Sequence, residues 1–369
     1  MSLEDWANAG ILERETRIYQ EMLQQGIHTT FITYGNASDR QWQSSISGIN
    51  LVPIYERLSQ PRNRGLALLQ SLLIPWKFRK EIQVADLFKT NQIWGGWVAA
   101  IAKQVWRKPL LVRCGYDAYT FATLGGAKSL KLKLLKLISS YIYRSGTHIF
   151  VASARDRDNV ENVFGVSGKK ITLHENWVDT DVFTPMSTVG EKSGQLLVVG
   201  RLNKQKNIAL LVEALSGSDY GLDIIGSGEE KASLSSLAKK LNVKLQFLGV
   251  IPNQQLERYY QRYLIYVICS KYEGNPKSLI EAMSCGLAVI GTGVQGIVEL
   301  ITDEHNGLVC REDATSLRVA IDRLVADSDL CASLGSQARS FILSRNSLTA
   351  YLERELKVYG QITKMDYRR

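Results

Sequence analysis

The sequence has no long apolar run and no paired cysteine motif, and each absence excludes a class of protein. No apolar run in the 369 residues approaches the roughly 18 needed to cross a bilayer, so no membrane-spanning helix is predicted. The five cysteines form no C-x-x-C pair and the four histidines show no metal-ligand spacing, which argues against a zinc-binding or disulfide-stabilised domain. Scattered, reduced thiols are typical of a cytoplasmic protein.

The composition indicates a globular protein with an anionic partner. A length of 369 residues allows two domains of ordinary size, and 45% hydrophobic and 22% charged residues are typical of globular chains. Lysine and arginine number 45 against 36 aspartates and glutamates, for a net charge of +9. This excess favours a nucleotide, a nucleic acid or an anionic lipid surface as the partner.

The sequence is organised around Tyr272–Glu299, which follows a short apolar run, Leu264–Cys269, that predicts a buried parallel strand. Asn275 is predicted to cap a helix whose first residue is Pro276, and the helix ends at Gly286. The start of this helix faces the carboxyl end of the sheet. Ligands bind there in open α/β sheets, and the free N–H groups of a helix start suit a phosphate.

Two glutamates lie on either side of the predicted helix start. Glu273 is in the preceding loop, and Glu281 follows eight residues later among apolar helix neighbours. A carboxylate in such surroundings requires a hydrogen-bonding partner, and the vicinal hydroxyls of a ribose would supply one. Taken alone, Glu281 would more simply be a surface acid on an amphipathic helix. The flanking Gly274 and Pro276 and the glycine-rich segment downstream favour a ligand site.

This segment resembles the E-x7-E signature of retaining GT-B glycosyltransferases of family 4. The matching residues are Glu273, Gly274, Asn275, Pro276, Glu281, Ala282, Met283, Gly286, Gly296 and Glu299. Arg201 and Lys206 are similar to a G-R-L…K element of the same family, in a loop after a predicted strand at Gln195–Val199. The resemblance covers nearly the whole chain and is closer in its C-terminal half.

The resemblance implies roles for individual residues. Arg201 and Lys206 would stabilise charge on the leaving diphosphate and Glu273 would contact the sugar, so these three are the predicted catalytic residues. Glu281 would bind the ribose. The predicted donor-binding residues are Gly200, Arg201, Lys206, Val250, Ile251, Glu273, Gly274, Asn275, Pro276, Lys277, Ser278, Leu279 and Glu281.

The predicted acceptor-side residues lie in the N-terminal half. Gly10 matches the glycine loop after the first strand of the family, and Arg113 and Asp117 lie at the end of an apolar strand, Leu110–Arg113. Many relatives have a histidine near this position, beside the transferred sugar, whereas this sequence offers Cys114 or Asp117. A tight turn capped by Asp117 explains the segment equally well, and both interpretations stay open.

No metal and no cofactor are expected, because the nucleotide-sugar is a substrate. Asp179-Thr180-Asp181 and Asp156-Arg157-Asp158 both imitate the D-x-D metal motif of another glycosyltransferase fold, and we interpret both as structural. Residues Gly291–Gly296 match G-x-G-x-x-G, but the helix expected after them is too short for a dinucleotide site.

Strands that alternate with helices predict an α/β fold. The resemblance implies the GT-B fold: two doubly wound Rossmann-like domains facing a cleft, with a C-terminal helix that crosses back to the N-terminal domain. Residues 1–183 are predicted to bind the acceptor, 184–194 to form a linker, 195–345 to bind the nucleotide-sugar, and 346–369 to form the last helix and tail. A strand at Val84–Phe88 is among those predicted in the first domain.

The first strand of this fold normally precedes the glycine loop and lies in the middle of its sheet. Only nine residues precede Gly10, and their apolar members have helical spacing. We therefore expect that the first strand is missing and that the natural product starts upstream. A chain made as written would then express poorly or lack activity.

The segment Lys128–Arg144 predicts an amphipathic helix with leucines on one arc and most of its lysines on the other. One interpretation is a domain helix with a solvated basic face. The other is an interfacial helix on an anionic membrane surface, which would place a cytoplasmic protein at the periphery of that membrane.

The predicted function is therefore transfer of a sugar, with retention, from a nucleotide-diphosphate donor to a glycan or lipid-linked acceptor in polysaccharide or glycolipid synthesis. No nucleic acid partner is expected. The alternative is a catalytically degraded homologue that binds a nucleotide-sugar without transferring it.

Overall fold

The computed structural model describes residues 2–115, 117–186 and 194–365, which divide into two compact units. The first unit comprises the described residues through Glu175 and from Leu352 onward, and the second those from Asn176 to Tyr351. The division precedes the predicted boundary at 183, because the backbone N–H and the side chain of Asn176 both bond to Asn275 of the second unit. Most of the predicted linker, residues 187–193, lies outside the described residues.

Twelve strands are assigned within the described residues. In chain order they are β1 (Thr29–Thr33), β2 (Ile49–Pro53), β3 (Phe88–Lys89), β4 (Leu110–Cys114), β5 (His148–Val151), β6 (Ile171–Leu173), β7 (Gln195–Val199), β8 (Gly221–Ile225), β9 (Lys244–Gly249), β10 (Ile265–Ile268), β11 (Ala288–Thr292) and β12 (Leu308–Cys310). The strands form parallel sheets in the orders β1-β2, β3-β4-β5-β6 and β12-β11-β10-β7-β8-β9. The predicted α/β class is confirmed.

Sixteen α-helices flank these strands in the described part of the chain. They are α1 (Leu3–Asn8), α2 (Leu12–Gln24), α3 (Arg64–Ser71), α4 (Ile74–Lys77), α5 (Arg79–Gln83), α6 (Trp97–Trp106), α7 (Ala118–Leu124), α8 (Ser129–Ser145), α9 (Ala154–Asn162), α10 (Ile208–Ala214), α11 (Lys231–Lys240), α12 (Asn253–Tyr260), α13 (Lys277–Ser284), α14 (Ala314–Ala326), α15 (Ser328–Arg345) and α16 (Leu348–Thr363). None of these helices has the length and apolar content that would let it cross a membrane.

The N-terminal residues are helical, as their apolar spacing predicts. The Ser2 hydroxyl accepts from the Asp5 backbone N–H, and the Asp5 carboxylate accepts from the Ser2 backbone N–H, so a capping box starts α1. Gly10 follows α1 with φ +66°, a left-handed conformation that favours glycine and lets the chain turn from α1 into α2. Gly10 therefore has a local structural role, in addition to the acceptor-side role predicted for it.

The strand predicted at Val84–Phe88 is wrong for most of its length. Helix α5 occupies Arg79–Gln83, and the chain becomes extended only in β3. Val84 is 78% exposed, so its apolar side chain does not pack on a sheet. A short run of apolar residues does not by itself distinguish a strand from a turn, because burial selects the strand and burial is decided by tertiary packing.

The sheet of the second unit has the doubly wound strand order. Counted from β7, the order is 3-2-1-4-5-6, and the direction of winding reverses between β7 and β10. The middle of the sheet is fully buried, as Leu197, Val267 and Val289 show. The loops after β7 and β10 therefore leave the same edge of the sheet side by side, at the position where such sheets bind ligands.

Helix α16 joins the first unit through buried charges. The Glu355 carboxylate is fully buried and accepts hydrogen bonds from Lys89, His174 and the Tyr359 hydroxyl. Burial lowers the pKa of His174 to about 4. Burial by itself raises the pKa of Glu355, but Lys89 and His174 outweigh it and hold that pKa well below its usual range. The predicted return of the C-terminal helix to the N-terminal domain thus rests on a charged cluster.

Candidate active site

Two loops of the second unit are joined at the point where the sheet changes direction. One follows β7 and includes Gln205, and the other follows β10 and includes Lys271 and Tyr272. The Lys271 backbone N–H donates to the Gln205 carbonyl at 2.9 Å, and the Gln205 side-chain amide donates to the Tyr272 carbonyl at 2.9 Å. These bonds hold the two predicted donor-binding loops in fixed register.

Lys206 and Glu273 form an ion pair between these loops. The Lys206 ammonium lies 2.5 Å from Glu273 Oε1, and the Ser270 hydroxyl donates to the same oxygen at 2.6 Å. The Glu273 residue is only 8% exposed, so its charge requires both partners. The Thr292 hydroxyl, at the end of β11, holds the Ser270 carbonyl at 2.8 Å. Two predicted catalytic residues are therefore brought together by a serine and a threonine that sequence reasoning did not select.

Arg201, the third predicted catalytic residue, is exposed in the same loop. Its guanidinium makes no hydrogen bond or ion pair with the residues that the structure describes. A guanidinium in this state has its planar donors available for the oxygens of a phosphate.

Glycines bring a third loop, which follows β8, against the backbone of the Arg201 loop. A Cβ on Gly226 would lie 1.9 Å from the Gly200 carbonyl oxygen, and one on Gly228 would lie 2.3 Å from the Leu202 carbonyl oxygen. Only glycine permits this approach. The two glycines are visible in the sequence, but their contact with the Arg201 loop becomes evident only in the fold.

Glu281 is buried, and its carboxylate already has partners within the protein. Asn253 donates its side-chain amide to Oε1 at 3.0 Å, and the Tyr260 hydroxyl donates to Oε2 at 3.0 Å. Burial, reinforced by Glu281, raises the pKa of Tyr260 well above its usual value, so this hydroxyl stays a donor. Asn253 and Tyr260 were not predicted. The available signal was their spacing of seven residues, which places them on one face of α12.

The start of α13 differs from the prediction by one residue. Pro276 occupies the N-cap and Lys277 is the first helical residue, whereas Asn275 was predicted to cap. The Asn275 side-chain oxygen instead accepts from the backbone N–H of Asn176 at 2.8 Å, which explains why it does not cap the helix. No side chain caps α13, and the Leu279 N–H bonds to the Pro276 carbonyl at 3.2 Å. The Ser278 backbone N–H and the buried, unpartnered Asn275 Nδ2 remain as donors for a ligand.

The remaining residues predicted to bind the nucleotide-sugar donor differ in how far their side chains are exposed to a ligand. The Ser278 hydroxyl accepts from the Tyr266 hydroxyl at 2.9 Å, and the Leu279 side chain is fully buried in the core, so Leu279 could contact a ligand only through its backbone. Gly274 lies against the loop after β11, because a Cβ on Gly296 would be 2.3 Å from the Gly274 carbonyl oxygen. Val250, after β9, is 57% exposed, and its neighbour Ile251 is half-buried.

The predicted acceptor-side residues of the first unit are largely engaged in local structure. Asp117 caps α7 by accepting from the Thr120 backbone N–H at 2.7 Å, and it also accepts from the Thr120 hydroxyl and the Tyr143 hydroxyl. Burial, followed by Cys114 and Asp117, raises the pKa of Tyr143 well above its usual value. Arg113 is buried near the end of β4, with its guanidinium 3.5 Å from the Asn91 side-chain oxygen. This geometry favours the capping interpretation of Asp117.

The two D-x-D segments have local roles in the described structure. Asp156 is buried in the first turn of α9, where it accepts from the Ser153 hydroxyl at 2.8 Å. Asp179 accepts from the Asp181 backbone N–H at 3.2 Å. Within the described ranges, no group of three histidine, cysteine, aspartate or glutamate residues is placed to hold a metal ion.

Comparison with known proteins identifies two matching family models. Residues 183–341 match the model described as Glycosyl transferases group 1, and residues 16–182 match the model described as Glycosyltransferase Family 4. Together, the two models cover most of the chain.

Curated relatives match over about half of their length. An N-acetylgalactosamine-N,N'-diacetylbacillosaminyl-diphospho-undecaprenol 4-alpha-N-acetylgalactosaminyltransferase of Campylobacter jejuni is 28% identical over 211 residues, which cover 56% of this chain and 58% of that protein. The amylovoran biosynthesis glycosyltransferase AmsD of Erwinia amylovora is 28% identical over 209 residues, 53% of this chain and 57% of that protein.

Solved structures share the fold over nearly the full chain. Anabaena HepE, solved with UDP-glucose, has a TM-score of 0.77 at 16% identity, covering 95% of this chain and 96% of its own. This similarity shows two α/β domains of the same architecture.

Proposed function

The chain belongs to the group 1 glycosyl transferases with the GT-B fold, and on this premise we propose that it transfers a sugar from a nucleotide-diphosphate donor to a glycan or lipid-linked acceptor. The observation that carries the proposal is the Lys206–Glu273 ion pair beside the exposed Arg201, at the switch point of the second sheet. A small anionic ligand suits this position, because two cations and the uncapped start of α13 adjoin one sheet edge.

The donor would be held by its charge and by its sugars. Arg201 and Lys206 would bind the diphosphate, and the Ser278 backbone N–H in the first turn of α13 would add a donor to it. Glu273, Gly274 and Asn275 would contact the transferred sugar. Glu281 would bind the ribose, exchanging its bond to Asn253 for a ribose hydroxyl while Tyr260 continues to hold the other oxygen.

The reaction we propose retains the anomeric configuration. The acceptor hydroxyl oxygen bonds to the anomeric carbon as the bond from that carbon to the phosphate oxygen breaks, and the bonding electron pair leaves on the diphosphate. The acceptor proton passes to a phosphate oxygen. Arg201 and Lys206 stabilise the charge that accumulates on the leaving group, which is the part of the chemistry that this chain's residues support. Because these two cations serve the diphosphate, we propose no catalytic metal and no cofactor.

The acceptor side is proposed more coarsely. Gly10, Arg113 and Asp117 remain proposals, and the engagement of Asp117 as a cap makes Arg113 the stronger of the two polar candidates.

The Campylobacter relative is named for a diphospho-undecaprenol acceptor and the Erwinia relative for a polysaccharide, which supports a role in polysaccharide or glycolipid synthesis. To reach a lipid-linked acceptor, the protein would have to bind at the periphery of an anionic membrane surface. We propose Lys128–Arg144 as the segment that binds this surface. Five buried cysteines that form no disulfide support a cytoplasmic location.

The test begins with the purified protein and a panel of nucleotide-sugars. Mass spectrometry of bound donor and release of the free nucleotide should identify one donor, and NMR of the product should show a retained anomeric configuration. Glu281→Gln should weaken donor binding, while Glu257→Gln, on neighbouring α12, should leave it unchanged. A protein that neither binds nor consumes any donor would refute the proposal.

A binding module without transfer is the second candidate. It is favoured by the Asp117 carboxylate, which is occupied by Thr120 and Tyr143 where many relatives have a histidine beside the sugar. Stoichiometric donor binding without nucleotide release, in the presence of lipid-linked and glycan acceptors, would establish this alternative.

A further inference from the structure

The positive charge of the chain is concentrated in one part of the first unit. Residues 57–155 contain seventeen lysines and arginines and only three acidic residues, Glu81, Asp86 and Asp117. Glu81 is paired with Arg57 at 2.7 Å, and Asp117 is buried as a cap. The rest of the chain contains more acidic than basic residues, so the overall net charge of +9 arises from this segment alone.

Helix α8 lies in this segment and exposes a row of apolar side chains. Leu130 is 81% exposed, Leu134 58%, Leu137 69% and Tyr141 38%. At about 100° per residue, these four side chains lie within about 60° of one another around the helix. A row of this kind facing water is costly, and it indicates an interaction surface.

The core accounts for a different face of the same helix. Leu135, Ser139, Ile142 and Tyr143 are buried, and Ile142 packs against Gly96 at the start of α6. The single apolar arc expected from the sequence is therefore divided between the core and the solvent. Packing inside the unit explains the first group and leaves the exposed row without an explanation.

Basic side chains flank the exposed row. By helical geometry, Lys131 lies on one side and Lys133 and Arg144 on the other, and all three are exposed. Helix α8 contains no acidic residue. A groove between α6 and α8, next to Tyr141, is lined by Arg144 and by Lys103, which adds one cation at the C-terminal end of the row.

A second exposed apolar row occurs in the same basic segment. It consists of Leu66 and Leu69 of α3, Leu73, and Trp76 of α4, each at least half exposed. The Trp97 indole of α6 donates to the Ser71 hydroxyl at 2.9 Å at the end of α3, so α6 contacts both α3 and α8.

We propose that the first unit docks on an anionic lipid bilayer through α8, with the Leu130-Leu134-Leu137-Tyr141 row inserted between headgroups. Lys131, Lys133 and Arg144 then lie at the level of the lipid phosphates. The combination of exposed leucines with flanking lysines favours a membrane over a soluble polyanion, because a polyanion would pair with the lysines but would not bury the leucines. This inference deepens the membrane part of the proposed function, and it holds whether or not the protein transfers a sugar.

The experiment measures binding of the full chain to vesicles without donor or acceptor. Vesicles of phosphatidylcholine with one-third phosphatidylglycerol should sediment the protein at low salt and release it at high salt, and pure phosphatidylcholine should bind far less. Leu134→Glu with Leu137→Glu should lower the partition coefficient at least about tenfold. Lys131→Gln with Lys133→Gln should lower it roughly fivefold per lysine.

Matched controls lie in the second unit. Leu343→Glu, on the long helix α15, and Lys239→Gln with Lys240→Gln, on α11, should leave binding unchanged. All five native cysteines are buried, so a fluorophore that reports apolar surroundings can be attached to Leu137→Cys or Leu343→Cys. When vesicles are added, the emission of the fluorophore should rise at position 137 and stay unchanged at position 343. The Leu137→Cys protein keeps the other three side chains of the exposed row.

The proposal is overturned if the wild type does not bind the anionic vesicles. It is also overturned if Leu343→Glu lowers the partition coefficient as much as Leu134→Glu with Leu137→Glu does. Binding that survives the leucine substitutions but disappears with the lysine substitutions would mean simple polyanion attraction, and would also overturn it. Because no sugar is present, any of these results leaves the proposed transfer reaction to its own test.

Discussion

Each unit contains a buried glutamate paired with a lysine, and the two pairs differ in their surroundings. In the first unit, Glu355 is fully enclosed by Lys89, His174 and Tyr359, which satisfy both of its oxygens. In the second unit, the Glu273 and Lys206 side chains are held in loops at the sheet edge and remain 8% and 21% exposed. An enclosed pair stabilises one arrangement, whereas a pair at an edge has room to exchange partners with a ligand.

The largest effect is expected when the enclosed pair is broken. Glu355→Ala removes the counter-charge of Lys89, whose side chain is only 12% exposed, and should lower the free energy of unfolding by about 3–5 kcal/mol. The control is Glu353→Ala in the same helix, which is exposed and should change stability by less than about 0.5 kcal/mol. Urea unfolding of both variants measures the difference. Equal stabilities of the two variants would mean that the enclosed Glu355–Lys89 pair does not stabilise the fold.

The pair at the sheet edge should affect activity more than stability. Arg201→Ala and Lys206→Ala should each lower turnover on the order of 10²-fold, the scale of one lost contact to transition-state charge. Lys204→Ala removes an exposed lysine of the same loop and should have little effect. Steady-state kinetics with the identified donor provides the measurement. Near-normal turnover in both site variants would contradict the assignment of the diphosphate site.

The enclosed cluster also predicts how stability depends on pH. Because the pKa of His174 is lowered to about 4 in the folded protein, the unfolded chain binds more protons between about pH 6.5 and pH 4. The contribution of neutral His174 to the free energy of unfolding is therefore complete above about pH 6.5. Acidification within this window should lower the free energy of unfolding by up to about 1.4 kcal/mol per pH unit. Below it, protonation of Glu355, whose pKa is also lowered, should remove more.

His174→Asn should flatten the dependence between pH 6.5 and pH 4, which urea unfolding at several pH values would detect. His28→Asn is the control, because this histidine is exposed. A slope that persists unchanged in His174→Asn would assign the acid sensitivity to other groups.

The smallest effect is expected at the second glutamate of the E-x7-E motif. Tyr260→Phe removes one donor to Glu281 and should weaken donor binding by about 1–2 kcal/mol if that carboxylate must be held in position for the ribose. Tyr259→Phe, on the same helix, is the matched control. Calorimetric titration with the donor compares the two. Unchanged affinity in Tyr260→Phe would show that Glu281 does not depend on this support.

The candidate site was predictable where it depends on local chain features. The spacing of Glu273 and Glu281, the helix end at Gly286 and the basic loop at Arg201 and Lys206 are all visible in the sequence, because each depends on a few neighbouring residues. Ser270, Thr292, Asn253 and Tyr260 were not found. Thr292, Asn253 and Tyr260 act through hydrogen bonds to residues more than twenty positions away in the sequence. Ser270 bonds to Glu273, three residues later, but a serine in a polar loop is not distinctive. Only the spacing of Asn253 and Tyr260 on α12 offered a signal.

The sequence by itself determined the α/β class, the helix–strand alternation and the motif that identifies the family, since periodicity and turn residues act over short distances. Tertiary structure decided the rest. It placed the Asn275 side chain in a hydrogen bond with Asn176 instead of at the helix cap, and it buried Asp117 in a hydrogen bond with the Tyr143 hydroxyl. It also divided the apolar residues of α8 between core and solvent. Burial and long-range hydrogen bonds depend on which segments meet in space, and a pattern along the chain does not contain that information.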